Sequence, residues 1–261
     1  MKLDLGYVSA ATKNIKTLLK LARVAPLSLF PTVTIFLAFA VISLGSLPAS
    51  GAVAASVAAA QPSITEADSI WVVVNKGRPL NPISYAPKHL KSPKFINGSG
   101  IAGSQKLEKV AAEALVQLAL QMKTTKSGTL TLNSGYRSFR SQVAVHDKDV
   151  ALLGLKLGER LAARPGYSEH QTGLAADVSA VGQGCVIREC FGKTKAGRWI
   201  RSHAWKFGFI LRYPLGQTPK TGYQYEPWHL RYVGIELATD MHLQGQTVLE
   251  DYWGLPYSTR Y

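Results

Sequence analysis

Cysteine is nearly absent from this chain. Among 261 residues there are two, Cys185 and Cys190, with four others between them. That count excludes a small fold knitted by several disulfides, and a zinc module built on four thiolates. A close pair in an exported protein reads as one disulfide, with two metal ligands as the weaker alternative. A loop so short gains little from chain entropy, so the bond would shape a local segment. Acidic side chains are scarce too: 16 Asp and Glu stand against 30 Lys and Arg, for a net charge of +14. The imbalance excludes an acidic disordered chain, and 46% hydrophobic with 18% charged residues is ordinary globular composition. No internal repeat occurs, and the length suits one generous domain in preference to two small ones.

Charge of either sign is missing altogether from residues 24–65. Within that run, residues 29–44 (LFPTVTIFLAFAVISL) are the most apolar. With their flanks they approach the roughly 20 residues that a membrane-spanning helix needs. Lys2, Lys13, Lys16, Lys20 and Arg23 precede the run, against Asp4 alone. Basic residues on that side place the N-terminus in the cytoplasm and everything downstream outside. The segment is either a signal anchor or a cleaved signal peptide, and its long basic leader favours the anchor. The expected organisation is a basic cytoplasmic segment (1–23), the apolar segment (24–47), an Ala-rich stalk (48–68) and one folded domain (69–261). Five basic residues and one acidic residue in the first segment leave +10 on the rest. Such a charge suits an anionic polymer or membrane surface outside the cell. No nucleic-acid motif or basic helix accompanies it, so nucleic acid is not an expected partner.

Residues 70–74 (IWVVV) read as a short buried strand stopped by Asn75-Lys76-Gly77. Residues 78–103, with four prolines, read as an extended wrap. Ser104 is placed to cap a helix in which Leu107, Val110, Ala111, Ala114, Leu115, Leu118 and Met122 share one face. Strands are predicted at 129–134, 175–179, 209–213 and 228–233, and helices at 138–153, 196–207 and 235–243. Helices and strands mix without βαβ repetition, so the expected fold class is α+β.

Of six histidines, His170 and His229 keep suggestive company, in 168–177 (SEHQTGLAAD) and 226–231 (EPWHLR). His146 and His203 read as solvated and structural. A catalytic zinc site takes three imidazole or carboxylate ligands and leaves one position for water. It also needs a carboxylate outside the ligand set to take that water's proton. His170, Asp177 and His229 can supply the ligands and Glu226 the base, with Glu169 as an alternative base. Gly173, Ala175 and Ala176 permit close backbone approach between the first two ligands. Pro227 excludes a helix interior around Glu226 and His229. In a regular strand those two would face opposite ways, so a turn or bulge must intervene for both to reach one metal.

Three blocks, in order, resemble the zinc D-alanyl-D-alanine carboxypeptidases of the VanY type. They are Ser134-Gly135-Tyr136-Arg137-Ser138 with Gln142 four residues on, Ser168-x-His170-x-x-Gly173-x-Ala175-x-Asp177, and Glu226-Pro227-Trp228-His229-x-Arg231. Cys185…Cys190-Phe191-Gly192 and 208–214 (GFILRYP) also look like the family, over roughly residues 70–235. The resemblance implies a small antiparallel sheet that carries one Zn2+ per chain and is flanked by helices. It also implies the ligands His170, Asp177 and His229, with Glu226 as catalytic base. The implied reaction is hydrolysis of the terminal D-Ala-D-Ala bond of a peptidoglycan stem peptide by metal-activated water, on the outer face of the membrane or in the wall. Arg137 is then the expected partner of the oxyanion or of the substrate carboxylate, with Ser168 and Gln142 as further substrate contacts. Arg231 is divided between a structural ion pair and the substrate. Trp228 is expected to pack beside its ligand neighbour, and Tyr223 and Tyr225 to lie in the core or along the cleft. The alternatives are an L,D- or D,D-endopeptidase of the same fold and a non-catalytic wall-binding module. A water-activating Glu226 beside three intact ligands weighs against the second.

Overall fold

The structure is a computed structural model that describes residues 62–94, 97–98 and 104–261. The basic segment, the apolar segment and most of the stalk lie outside the described residues. Among the described residues no helix is long and apolar enough to cross a membrane. In chain order the strands are β1 (Leu90–Lys91), β2 (Asn97–Gly98), β3 (Leu107–Glu108), β4 (Leu130–Ser134), β5 (Ala175–Ala180), β6 (Phe209–Tyr213) and β7 (Glu226–Tyr232). The helices are α1 (Lys109–Thr124), α2 (Phe139–Leu153), α3 (Leu155–Leu161), α4 (Lys195–His203), α5 (Thr218–Thr221), α6 (Ile235–Leu243) and α7 (Leu249–Tyr252). Short 3-10 turns stand at Glu169–Thr172, Glu189–Lys193 and Ala204–Phe207.

Five strands form the main sheet, in the order β2-β4-β5-β7-β6. It is antiparallel except at its edge, where β2 runs parallel to β4, so the expected antiparallel sheet is mixed there. β1 and β3 pair separately. Every residue of β5 is buried, and its two faces do different things. Ala176, Val178 and Ala180 enter the main hydrophobic cluster with Leu115 and Leu118 of α1 and Ile200 of α4. Asp177 and Ser179 alternate onto the opposite face, as the period of two requires. The sheet thus spends one face on the core and keeps polar groups, also buried, on the other.

Helix α1 forms on the predicted apolar stripe, burying Ala111, Ala112, Leu115, Leu118 and Met122. It begins later than its Ser104 signal, with Glu108 at the N-cap. Leu107 and Glu108 pair with β1 instead, and the Ser104 hydroxyl accepts from Lys106 N in a local turn. Of residues 70–74, Ile70 is half-buried and the other four are buried, but they form no strand. Their backbone is satisfied piecemeal: Val73 N donates to Ile64 O, and the Arg231 guanidinium donates to the carbonyls of Ile70 and Val72. A charged side chain does here what a neighbouring strand would have done. The folded domain also begins before residue 69. Ala67 is buried in the main cluster, and Ile64 O accepts from Arg78 as well as Val73, so the last part of the expected stalk is packed. Val57–Tyr261 is one compact unit, and the hydrophobic clusters found among the described residues lie inside it, as an independently folding domain requires.

Candidate functional site

The sheet brings Asp177 and His229 together by register, since they are directly paired residues of β5 and β7. His170 arrives from the turn that precedes β5. That turn ends at Gly173, whose φ of +72° is costly for any side chain, and a Cβ there would lie 3.0 Å from Glu108 N. The three side chains offer ligand atoms that all lie within 4.8 Å of one another. His170 Nε2 is 3.2 Å from Asp177 Oδ2, and His229 Nδ1 is 3.2 Å from Asp177 Oδ1.

Glu226 joins them because the β6–β7 ladder is irregular. Between the pairs Leu211–Leu230 and Tyr213–Glu226, β6 advances two residues while β7 advances four. This bulge removes the alternation that would have turned Glu226 away, and its Oε2 lies 3.6 Å from His229 Nδ1. A second bulge, at Asn133 in β4, sets Ser134 opposite Asp177.

The outward atoms of both imidazoles are fixed. His170 Nδ1 lies 2.8 Å from the Gly135 carbonyl, which can only accept, so Nδ1 carries the proton and Nε2 presents a lone pair. His229 Nε2 lies 3.3 Å from Glu169 Oε2 and donates to it, which turns Nδ1 to the cluster. Glu169 is itself fully buried, its Oε1 accepting from Arg212 Nε at 2.8 Å and Arg231 Nη1 at 2.9 Å. Arg212 is held in turn by a bidentate pair with Glu250. Burial alone would raise the Glu169 carboxyl, but the two guanidiniums and His229 hold it far below the ordinary range. A carboxylate so clamped is no proton acceptor, which removes Glu169 as the alternative base. Arg231 proves to be the structural ion pair. Arg212 and Glu250 were not singled out in the sequence; a lone Arg in the apolar strand FILRY was the available signal, because a buried charge must find a partner.

Glu226 is the opposite case. Burial, helped by Asp177 and Glu169, outweighs His229 and Arg137 and pushes its carboxyl up to about 8. Burial would also raise Asp177, but His170 and His229 keep it ionised. Burial lowers His229, yet the carboxylates of Asp177 and Glu169 beside its two ring nitrogens prevail and raise it to about 9. Among the three candidate ligand residues one atom is left wanting: Asp177 Oδ1 is buried and accepts no well-directed hydrogen bond. Two imidazole nitrogens and an orphaned carboxylate oxygen, all converging, fit a divalent cation of the zinc type.

These residues line a cleft of about 360 Å3, together with Arg137, Asp149, Leu161, Ser168, Ile187, Tyr213, Tyr223 and Trp228. Arg137 donates to Gln142 Oε1 and Ser134 Oγ, and its buried Nε has no partner. Gln142 was expected to touch substrate, but it is completely buried and its amide also donates to Ala163 O. It holds Arg137 from behind. Tyr223 lines the cleft, whereas Tyr225 lines a separate groove. Cys185 and Cys190 are disulfide-bonded, and the small loop they close carries Ile187 to the cleft wall.

Comparison with known proteins agrees with this geometry. Residues 104–235 match the family model described as VanY: D-alanyl-D-alanine carboxypeptidase. A putative carboxypeptidase of Bacillus subtilis, YodJ, is 40% identical over 194 residues, covering 73% of this chain and 69% of its own length. A D-alanyl-D-alanine carboxypeptidase of Enterococcus faecium is 36% identical over 62% of this chain, which spans about half of that longer protein (49%). Among solved structures, the LdcB LD-carboxypeptidase superposes with a TM-score of 0.66 at 38% identity, over 73% of this chain and 88% of that one. A VanY E175A mutant in complex with Zn(II) gives 0.56 at 31% identity, over 70% and 97%. VanYB in complex with D-alanine-D-alanine gives 0.57 at 32%, over 70% and 96%. On these matches, and on a site that assembles all three sequence blocks, the chain belongs to the VanY family of D-alanyl-D-alanine carboxypeptidases.

Proposed function

We propose that this chain is a zinc-dependent metallopeptidase that removes the terminal D-Ala from D-Ala-D-Ala ends of peptidoglycan stem peptides. The observation that carries the reading is the convergence of His170 Nε2, His229 Nδ1 and the unpartnered Asp177 Oδ1 beside a carboxyl that is not needed as a ligand. A zinc ion held by those three residues would polarise the scissile carbonyl and make water nucleophilic near neutral pH. The charge of such a cation would offset the burial that raises the Glu226 carboxyl, and Glu226, then ionised, is placed to take the proton of the attacking water on Oε2 and to return it to the departing amine of D-Ala. Arg137, with a free Nε and a position fixed by Gln142 and Ser134, supplies positive charge for the oxyanion or the terminal carboxylate. Ser168 lies on the same wall. Tyr213, Tyr223, Leu161 and Ile187 give the cleft an apolar lining around these groups.

A second reading has its own support. The LdcB likeness is to an LD-carboxypeptidase, so a tetrapeptide ending in a single D-Ala is a competing substrate within the same mechanism. We place the enzyme outside the cytoplasmic membrane, tethered by the apolar segment and drawn to the anionic wall by its basic charge. The test uses a stem pentapeptide and the matching tetrapeptide, with D-Ala release followed by mass spectrometry. Release from the pentapeptide that stops with chelator, and falls at least a thousandfold in Glu226→Gln, is the expected result. Release from the tetrapeptide alone would establish the LD reading. Cleavage of neither, or no response to chelator, would overturn both.

A further inference from the structure

Helices α2 and α3 form a hairpin whose far end is unusually apolar. Leu152, Leu153, Leu155 and Leu157 fall within six residues of sequence, and all are between 44 and 69% exposed. Single exposed leucines are unremarkable in a soluble protein; four clustered around one turn make a patch. The hairpin does not collapse onto the domain to hide them. In α2 only Gln142, in the first turn, is buried. The two helices instead close on each other at Gly158, where a Cβ would lie 2.9 Å from the Val150 backbone.

Cations neighbour these leucines along the chain. Lys148 lies one turn before Leu152, and Lys156 sits between Leu155 and Leu157. Lys156, Arg160 and Arg164 also line a depression of about 580 Å3 beside α3, with Lys76 and Arg260. Of the nearby carboxylates, Glu159 is bonded to Arg164, Asp147 lies against His146, and Asp149 lines the catalytic cleft. Among the described residues, Lys156 and Arg160 have no carboxylate partner.

We propose that this end of the hairpin is a docking surface for an anionic lipid bilayer. The four leucines enter the interfacial region while Lys148, Lys156 and Arg160 meet lipid phosphate, the pairing of apolar insertion with cations that interfacial helices use. A second copy of the chain is a poorer occupant, because a two-fold contact would set Lys156 and Arg160 against themselves. An anionic wall polymer would use the cations but has no need of the leucines. The chain is long enough for the contact: residues 48–61 separate the apolar segment from the first described residue, a reach of up to roughly 50 Å. Val145, Asp149 and Leu161 of the same hairpin line the catalytic cleft, so docking would turn that cleft towards membrane-linked substrates. This consequence for catalysis rests on the proposed function; the lipid contact itself does not.

The test takes the compact unit Val57–Tyr261, without the apolar segment, and measures co-sedimentation with vesicles of phosphatidylcholine containing about one-third phosphatidylglycerol, beside phosphatidylcholine alone. Binding to the mixed vesicles only is expected, weakened at least tenfold in Leu152→Ser/Leu155→Ser and in Lys156→Glu/Arg160→Glu. Both variants should keep a cooperative thermal transition, and the serine variant should cleave a soluble stem peptide at the parental rate. No binding to the mixed vesicles, or binding indifferent to both variants, overturns the proposal. A leucine-dependent dimer without lipid binding would assign the patch to a second copy. Capture by isolated wall that depends on the lysine and arginine alone would assign it to a polymer. Failure to cleave peptide while vesicle binding persists would count against the proposed function and leave the docking surface standing.

Discussion

Glu169 illustrates how one buried carboxylate can serve both the fold and the site. Its Oε2 fixes His229 while its Oε1 binds two guanidiniums, so its removal has two separable effects. Glu169→Gln preserves volume but leaves Arg212 and Arg231 short of a charge in the interior, a loss of about 3–5 kcal/mol that a denaturant titration would record. It also loosens the orientation of His229, and zinc affinity should fall roughly 10–100-fold in competition with a chromophoric chelator. Unchanged affinity in a folded variant would show that the contact is structural only. Protonation gives an independent check. Without metal, His229 is raised to about 9 because Nδ1 and Nε2 both face carboxylates. A raised pKa means the imidazole is protonated at pH 7, and a metal on Nδ1 must displace that proton. Zinc binding at pH 7 should therefore release at least one proton, seen by calorimetry in buffers of different ionisation enthalpy, and affinity should rise with pH up to about 9.

At the scale of elements, the α2–α3 hairpin sets two known effects against each other. In an exposed helix Gly→Ala gains about 1 kcal/mol, but at Gly158 the new methyl would meet the Val150 backbone, which has no flexible end to move aside. Overpacking of that kind costs about 1–3 kcal/mol, so Gly158→Ala should reduce amide protection in α2 and α3 while leaving the sheet unchanged. Increased protection would mean that the helices separate easily. The same hairpin shows where the sequence was hard to read. α2 was legible from its Ser138 cap, whose hydroxyl accepts from Ser141 N, but α3 carries leucines without a period and a glycine in mid-helix, and only tertiary contact reveals it. β6 and α6 were placed at their observed bounds because glycines punctuate both. The 70–74 segment misled because β-branched composition reports burial, whereas a strand also needs a ladder partner, and here Arg231 took that place. In the site, the spacing of Glu226 and His229 demanded an irregularity, and the β7 bulge is that irregularity. The part played by Glu169 was beyond the sequence, because Arg212, Arg231 and Glu250 come together only in the folded chain.

For the whole molecule, the site acts as a fastening between distant parts of the chain. His170 belongs to the turn before β5, Asp177 to β5 and His229 to β7, and behind them the Glu169–Arg212–Glu250–Asn75 chain of bonds runs on to α7 and to the turn at residue 75. The front of this arrangement offers a cation three converging ligand residues, His170, Asp177 and His229. Glu226, Asp177 and Glu169 crowd three carboxyl groups around two imidazoles, and Asp177 Oδ1 has no well-directed partner. A ligand that binds the folded state alone adds RT ln(1 + [L]/Kd) to stability, about 4 kcal/mol at a thousandfold excess over Kd. For a domain of this size each kcal/mol moves the thermal midpoint by about 2–4 °C, so chelation should lower Tm by roughly 8–16 °C. The shift should reverse on adding zinc and shrink in His170→Ala or His229→Ala, whereas Glu226→Gln, which leaves the ligands intact, should keep it. A chelator that abolished peptide cleavage without moving Tm would mean that the catalytic ion is bound too weakly to fasten anything, and that the Arg212 network alone holds the sheet and the C-terminal helices together.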